Sequence, residues 1–255
     1  HINTGAITMN KPITKTQAAI ISARSVYWMN VKSVSDGMAK TERAIKPSKN
    51  KKLGNVVKVG RLKGARIFTL TLEERATCPD SCAHWKTCFG NNMNYAVRYK
   101  MDDALLTQIE DDLTVYNKRG KPFLVRLHIL GDFPSIEYVA FWARMLGQFE
   151  NLNVYGYTAR LSGTPIGDAI LSLRSPRFMV RQSGQFDGSN MSALSFDDER
   201  ALPTVDARKA LVCPTQIAKR GEYELAAKGI DTLTPNCGTC GLCWTTPKNI
   251  VFLTH

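Results

Sequence analysis

The chain has 255 residues, 44% of them apolar, and a formal net charge of +12. That size and apolar content suit one large domain or two small ones with a sizeable core, which excludes a mini-protein stapled by its cysteines. The 7 cysteines are an odd number, unlike a disulfide framework, and no apolar run reaches the length of a membrane span. The cytoplasm is the expected location, where thiols stay reduced and bind metal, and the basic balance suits an anionic partner. No secretory signal is expected, and residues 1–8, ahead of Met9, read as an added remnant.

Apolar spacing around Ala18–Met29 predicts an N-terminal helix. A basic stretch follows, with Lys46, Lys49, Lys51, Lys52, Lys58, Arg61 and Lys63 and no acid between 46 and 64. It reads either as a solvated loop and hairpin or as a phosphate-binding arm for nucleic acid or another anion. With no aromatic residue among those charges, base stacking is not indicated.

Arg66–Leu72 reads as a strand leading to the first cysteines. Asp102–Lys118 reads as a helix, with acids at its start, a stripe of Leu105, Leu106, Ile109 and Leu113, and Gly120 at its close. Phe123–Leu130 is a strand ending in Gly131-Asp132, Ser135–Phe149 a helix and Asn153–Arg160 a strand. Thr164-Pro165 opens a helix to about Arg174, since threonine caps and proline suits the first helical position. Phe178–Ser183 is a strand, Gly184–Asp198 a long loop or lid, Lys209–Val212 a short apolar run into Cys213, and Ile250–Leu253 a last strand. The alternation predicts an α/β protein with a parallel sheet or an incomplete (β/α) barrel. Three parts are expected: an N-terminal helical segment and basic arm (1–64), a β/α core (65–212) and a cysteine-rich extension (213–255).

Sites in such folds lie at the carboxyl ends of strands. Arg126, His128 and Asp132 follow one strand, Tyr157, Thr158 and Arg160 the next, and Arg181, Gln182 and Ser183 the one after. Alternation along the strand puts Arg126 and His128 on one face. Each has a plainer role open to it: His128 as a bonded core histidine, Arg126 paired with Asp132 or a helix end, Tyr157 in the core. Arg160 and Arg181 suit carboxylate or phosphate binding.

The cysteines fall into two groups. Cys78, Cys82 and Cys88 have the spacing C-x3-C-x5-C, and three thiolates on a cubane leave one iron open; with His84 they make a Cys3His zinc site instead. Cys237, Cys240 and Cys243 form C-x2-C-x2-C, joined by a remote Cys213 before Pro214, the ligand grammar of a [4Fe–4S] site. Gly238 and Gly241 let the backbone turn close to the sulfurs, and Trp85 and Trp244 are placed to shield metal from water.

A strand running into a three-cysteine loop, then a strand ending in Gly-Asp, then further β/α units, resembles the radical S-adenosylmethionine (SAM) enzymes from about Arg66 to Cys213. The last four cysteines are similar to the auxiliary-cluster extensions of some of them. Thr-Cys-Pro (77–79), Leu-His-Ile-Leu-Gly-Asp-Phe (127–133), Tyr-Thr-Ala-Arg (157–160), Cys-Pro-Thr-Gln (213–216) and the C-terminal cysteine run also resemble the phage and prophage gene 88 proteins. The resemblance to radical SAM enzymes implies an incomplete barrel of their type, with Cys78, Cys82 and Cys88 holding a [4Fe–4S] cluster whose open iron chelates SAM. It implies that Gly131 and Asp132 meet the methionine amino group. In this reading Tyr157, Arg160, Arg181, Gln182 and Ser183 line the cofactor or an anionic substrate, with Asp132, His128 and Arg126 as the candidate catalytic residues and a separate electron donor as a partner. The departures from that family's pattern are the five-residue gap before Cys88 and the missing second glycine, glutamate and proline after Gly131. A non-enzymatic iron–sulfur protein binding nucleic acid, and a zinc-stabilised scaffold, are the rival expectations.

Overall fold

The computed structural model describes residues 27–38, 42–82, 84–184, 192–196, 210–215 and 235–253. Its strands are β1 (Val31–Lys32), β2 (Lys46–Pro47), β3 (Arg66–Thr69), β4 (Arg98–Tyr99), β5 (Phe123–Leu127), β6 (Leu152–Thr158), β7 (Phe178–Ser183), β8 (Ser192–Phe196), β9 (Ala210–Val212) and β10 (Asn249–Leu253). β1 and β4 form a small parallel pair; the other eight make one sheet in the order β2-β3-β5-β6-β7-β8-β10-β9. β2 runs antiparallel to β3, and every other pairing is parallel. From β3 to β8 the spatial order follows the chain, and among the described residues β2 and β9 are unjoined edges of an open sheet. β2, from the basic stretch, and β10, from the C-terminal region, belong to the same sheet as the core strands.

Three helices connect the central strands: α1 (Asp103–Asn117), α2 (Ile136–Gln148) and α3 (Pro165–Ser172). Each starts at the cap that its residue type favours. Asp102 accepts from Leu105 N, Ser135 from Tyr138 N and Thr164 from Gly167 N, satisfying amides that have no helical partner. Leu105, Ile109, Leu113 and Tyr116 of α1, and Tyr138, Phe141, Trp142 and Met145 of α2, are buried against Phe68, Val125, Leu127, Val154 and Val180. Apolar residues at helical spacing thus bury one stripe per helix, all three on one face of the sheet.

The alternate strand residues, Ile67, Leu124, Tyr155 and Met179, face the other way. There they pack with Val57, Leu62, Cys243 and Trp244. No long helix covers this second face among the described residues. The segment around 53–65 and two short helical turns, α4 (Cys237–Cys240) and α5 (Leu242–Thr245), cover it instead. Trp244 is buried edge-on to Tyr155, with ring centroids 4.9 Å apart.

Some expectations need correction. Regular pairing of the second core strand ends at Leu127, not Leu130. Strand alternation holds only along continuous extended chain, so Arg126 and His128 part company. Arg126 lies over the Tyr155 and Tyr157 rings on the second face, while His128 contacts Phe133 and Tyr138 on the helix side. The region expected as a lid contains β8, paired with β7 at Gln182–Ser192 and with β10 along its length. Gly184 and the polar residues after it obscured a short strand, one of whose partners, β10, is distant in sequence. Of the expected N-terminal helix, Ala18 to residue 26 lies outside the described residues, and Trp28–Asn30 form a single 3-10 turn. No helix among the described residues is long and apolar enough to cross a membrane.

Candidate metal centres

The first thiol group lies in the loop after β3, held by the ends of β5 and β6. Thr77, buried just before Cys78, donates from Oγ1 to Glu73 O at 2.8 Å and accepts from Asp132 N at 3.0 Å. Gly131 makes this approach possible: its φ is +84°, and a Cβ there would stand 2.6 Å from Thr77 Oγ1. Arg160 donates Nη2 to Thr77 O at 2.8 Å and Nε to Phe133 O at 2.7 Å. Asp132 is buried and already occupied, with Oδ1 accepting from Phe133 N and Thr158 Oγ1 and Oδ2 from Ala159 N. Burial pushes its carboxyl up, against these three donors and the nearby Arg160. Asp132 and Arg160 are therefore struts that fix the cysteine loop to the sheet.

Further along the loop, Arg98 and Glu74 form a buried ion pair at 2.6 Å, and Arg98 also donates to the carbonyls of Gly90, Met93 and Ala96. Arg75 ties Trp85 O and Asn91 Oδ1. These anchors gave no clear signal in the sequence, because most of their partners are loop carbonyls. Burial pushes the Cys78 thiol up to about 12, with further contributions from Asp132, Cys82 and Cys88, so the three thiols share one electrostatic neighbourhood. His84 is exposed, its Nδ1 3.5 Å from Thr87 Oγ1.

The second group is built from β9 and the two short turns. Cys213 follows β9, buried, with its N–H donating to Val251 O at 2.8 Å. Asn236 and Thr239 form a reciprocal capping box that starts α4 at Cys237. Residues from the basic stretch clasp this turn: Cys237 N donates to Lys52 O, Gly238 N to Leu53 O and Lys58 N to Gly238 O. Only glycine fits at 238, where a Cβ would lie 2.4 Å from Val56 O. The stretch is thus a folded clasp rather than a free arm. Lys49, Lys51, Lys58 and Lys63 remain exposed, while Lys46 pairs with Glu42 and Arg61 bonds Asn153 and Pro176.

Arg181 is fully buried and donates to four carbonyls of the C-terminal segment: Thr246 O at 2.6 Å, Lys248 O at 2.7 Å, Cys243 O at 3.3 Å and Leu242 O at 3.5 Å. It was expected to meet an anionic ligand. Instead it meets backbone groups that burial would otherwise leave unpaired. Gln182 donates to Arg160 O at 3.4 Å, and Ser183 ends β7 in register with Ala193. His128 Nε2 lies 3.0 Å from Tyr138 OH, and burial, aided by Arg126, lowers its pKa to about 3. It is a neutral core histidine.

Tyr157 OH donates to Cys243 Sγ at 2.9 Å, and the Arg126 guanidinium lies 4.3 Å from the Tyr157 ring centre. Burial pushes Cys237 up to about 12 and raises Cys240 and Cys243, each also raised by Cys213. Arg126 opposes the shift at Cys237 and Cys243, Lys52 at Cys237 and Arg181 at Cys243. Cationic side chains thus lie near Cys237 and Cys243. Among the described residues, no group of three or more His, Cys, Asp or Glu is gathered closely enough to hold a metal ion.

Two proteins of mycobacterial phages are similar over most of their length. The gene 88 protein of Mycobacterium phage D29 is 24% identical over 242 residues, 83% of this chain and 98% of the relative. That of Mycobacterium phage L5 is 24% identical over 245 residues, 82% and 98% respectively. No solved structure matches the chain. The family model described as gene product 88 matches residues 33–246, a span holding all seven cysteines, and the chain belongs to that family.

Proposed function

We propose that this chain is an iron–sulfur protein with two centres, one on Cys78, Cys82 and Cys88 and one on Cys213, Cys237, Cys240 and Cys243. The observation that carries the reading is the second group. Cys213 raises the thiols of Cys237, Cys240 and Cys243, Arg126 and Arg181 act on Cys243, and Cys243 accepts a phenol hydrogen bond. Buried thiols with raised pKa values beside cations are a half-built site. A [4Fe–4S] cluster on four thiolates, with a net charge of about −2, supplies the missing anion. A single zinc ion would draw its sulfurs in on bonds of about 2.3 Å.

A second reading concerns the first group: an open iron corner that binds SAM and cleaves it reductively. Two observations favour it. The strands from β3 to β8 follow chain order with α1, α2 and α3 on one face, as in an incomplete (β/α) barrel. A cavity of about 390 Å³ also adjoins the loop, lined by Pro79, Ser81, Arg160, Leu161, Thr164, Pro165 and Ile166. In this reading Asp132 and Arg160 hold Thr77 and Cys78 in place and do not chelate the cofactor.

The test is anaerobic purification with iron, acid-labile sulfide and zinc counted per chain. About eight irons and eight sulfides are expected for two cubanes. Zinc without sulfide overturns the proposal. If both clusters load, release of 5′-deoxyadenosine from SAM under dithionite supports the second reading, and none refutes it.

A further inference from the structure

We infer that the surface carrying Trp28, Phe89 and Tyr95 binds single-stranded nucleic acid by stacking its bases on those rings. This surface needs neither cysteine centre to be loaded.

The four most exposed large apolar side chains of the described residues are Tyr95 at 96%, Met29 at 77%, Trp28 at 66% and Phe89 at 61%. All four lie on two segments that fold against each other. Val31–Lys32 pairs in parallel with Arg98–Tyr99, the Tyr27 hydroxyl donates to Asn91 O at 2.5 Å, and the Asn30 side-chain amide donates to Asn94 O. The turn Trp28–Asn30 is therefore fastened at both ends beside the loop 89–95. Buried Arg98 fixes that loop: it bonds the carbonyls of Gly90, Met93 and Ala96 and pairs with Glu74 at 2.6 Å. Its guanidinium also lies 5.0 Å from the Tyr27 ring centre, which locks the two segments together. The exposed rings thus stand on a rigid base, and little ordering is left to oppose binding. Three such rings expose on the order of 400 Å², an amount that marks a binding surface rather than scattered apolar residues.

Charge selects the partner. Residues 27–35 and 81–101 contain no Asp or Glu, and they carry Lys32, Lys86, Arg98 and Lys100. Lys32 pairs loosely with Glu42 at 3.8 Å. Lys86 is exposed, as are Asn92 and Asn94, whose amides suit base edges and sugars. The whole chain carries +12. An acid-free aromatic surface on a basic chain fits a polyanion with flat apolar faces, which is a nucleic acid with unstacked bases. A duplex hides those faces, and the helical turns here, Trp28–Asn30 and Phe89–Asn92, are too short to lie in a groove. The stacking faces that the 46–64 stretch lacks are therefore supplied on a different surface.

The experiment is fluorescence anisotropy of the whole chain with labelled oligothymidylate and oligouridylate of about 16 nucleotides, and with a duplex of the same length, at about 50 mM and about 200 mM salt. Tyr95→Ala and Trp28→Ala are each expected to weaken single-strand binding by about 5- to 150-fold. The salt slope should stay the same in both, because they remove a stacking face and no charge. Tyr95→Phe keeps the face and should keep most of the affinity. Lys86→Ala should lower the salt slope by about 0.7. Tyr95 packs against almost nothing, so its variants should fold; if Trp28→Ala lowers the urea midpoint, the Tyr95 pair carries the test. Binding of either strand that depends on the rings supports the inference, and the tighter one names the strand. No binding up to about 100 μM at the lower salt overturns it. So does affinity that Tyr95→Ala leaves unchanged, or a duplex bound as tightly as the single strands. Sedimentation of the free chain covers the remaining case: a dimer that Tyr95→Ala dissociates, with no affinity for nucleic acid, overturns the inference and assigns the surface to a second copy.

Discussion

Replacing Arg181 by methionine keeps most of the buried volume and removes every donor. Arg181 is 0% exposed, and two of its bonds are short, to Thr246 O at 2.6 Å and Lys248 O at 2.7 Å. Those to Cys243 O at 3.3 Å and Leu242 O at 3.5 Å are weak by their length. A hydrogen bond from a charged donor contributes about 1.5–3 kcal/mol, so the two short ones represent about 3–6 kcal/mol. Against this stands the desolvation of a buried guanidinium, which also lowers its pKa. Methionine relieves that penalty but leaves the carbonyls after α5 without donors, at about 1–3 kcal/mol each. A net loss of about 3 kcal/mol is expected. For a denaturant slope of about 3 kcal/mol per molar urea, the unfolding midpoint falls by about 1 M. Trp244, buried on the clamped segment, gives the fluorescence signal for a urea titration. Lysine should recover little, because one ammonium cannot reach the carbonyls that a planar fork spans. A midpoint within about 0.2 M of wild type would refute the argument that Arg181 holds the C-terminal segment on the sheet.

Glu73 is fully buried, with neither carboxylate oxygen hydrogen-bonded, and burial, opposed by Lys100, raises its pKa from 4.5 to about 7. The folded chain therefore keeps this proton where the unfolded chain has lost it. Stability is complete below pH 4.5 and falls through about pH 7, by about 3 kcal/mol in total. Urea titrations at pH 5 and pH 8 should show that loss in wild type and not in Glu73→Gln; an equal slope in both contradicts the assignment. Gly238→Ala drives a Cβ to 2.4 Å from Val56 O, so the clasp must move. A stability loss of about 1–3 kcal/mol is expected, together with reduced iron at the second centre; a fully loaded variant as stable as wild type would show the clasp to be dispensable. Cys88→Ala should halve the iron and sulfide from about eight to about four each. Unchanged content would remove Cys88 from the ligand set.

Several elements were legible from local chemistry. Asp102, Ser135 and Thr164-Pro165 mark helix starts because their side chains, or proline's fixed φ, suit that position wherever it occurs. Phe178–Ser183 stands as a strand with the expected bounds. β8 was not legible, because the glycine and asparagine before it signal a turn and one of its two parallel partners, β10, is distant in sequence.

The spacing of the cysteines, C-x3-C-x5-C and C-x2-C-x2-C, is a property of the sequence. So are the helix caps and the alternation of strand and helix. The tertiary structure decided what the charged residues do. Arg160 and Arg181 at strand ends carry the same local signal whether they face a ligand or a carbonyl, and here buried carbonyls take their donors. Asp132 became a strut and His128 a core residue because regular strand pairing ends at Leu127 and the chain turns toward Thr77 and α2. The basic stretch became a clasp because Gly238 lets two backbones meet. Local preferences reach about one helical turn or one strand, whereas the partner of a buried polar group is chosen by which distant segment folds against it.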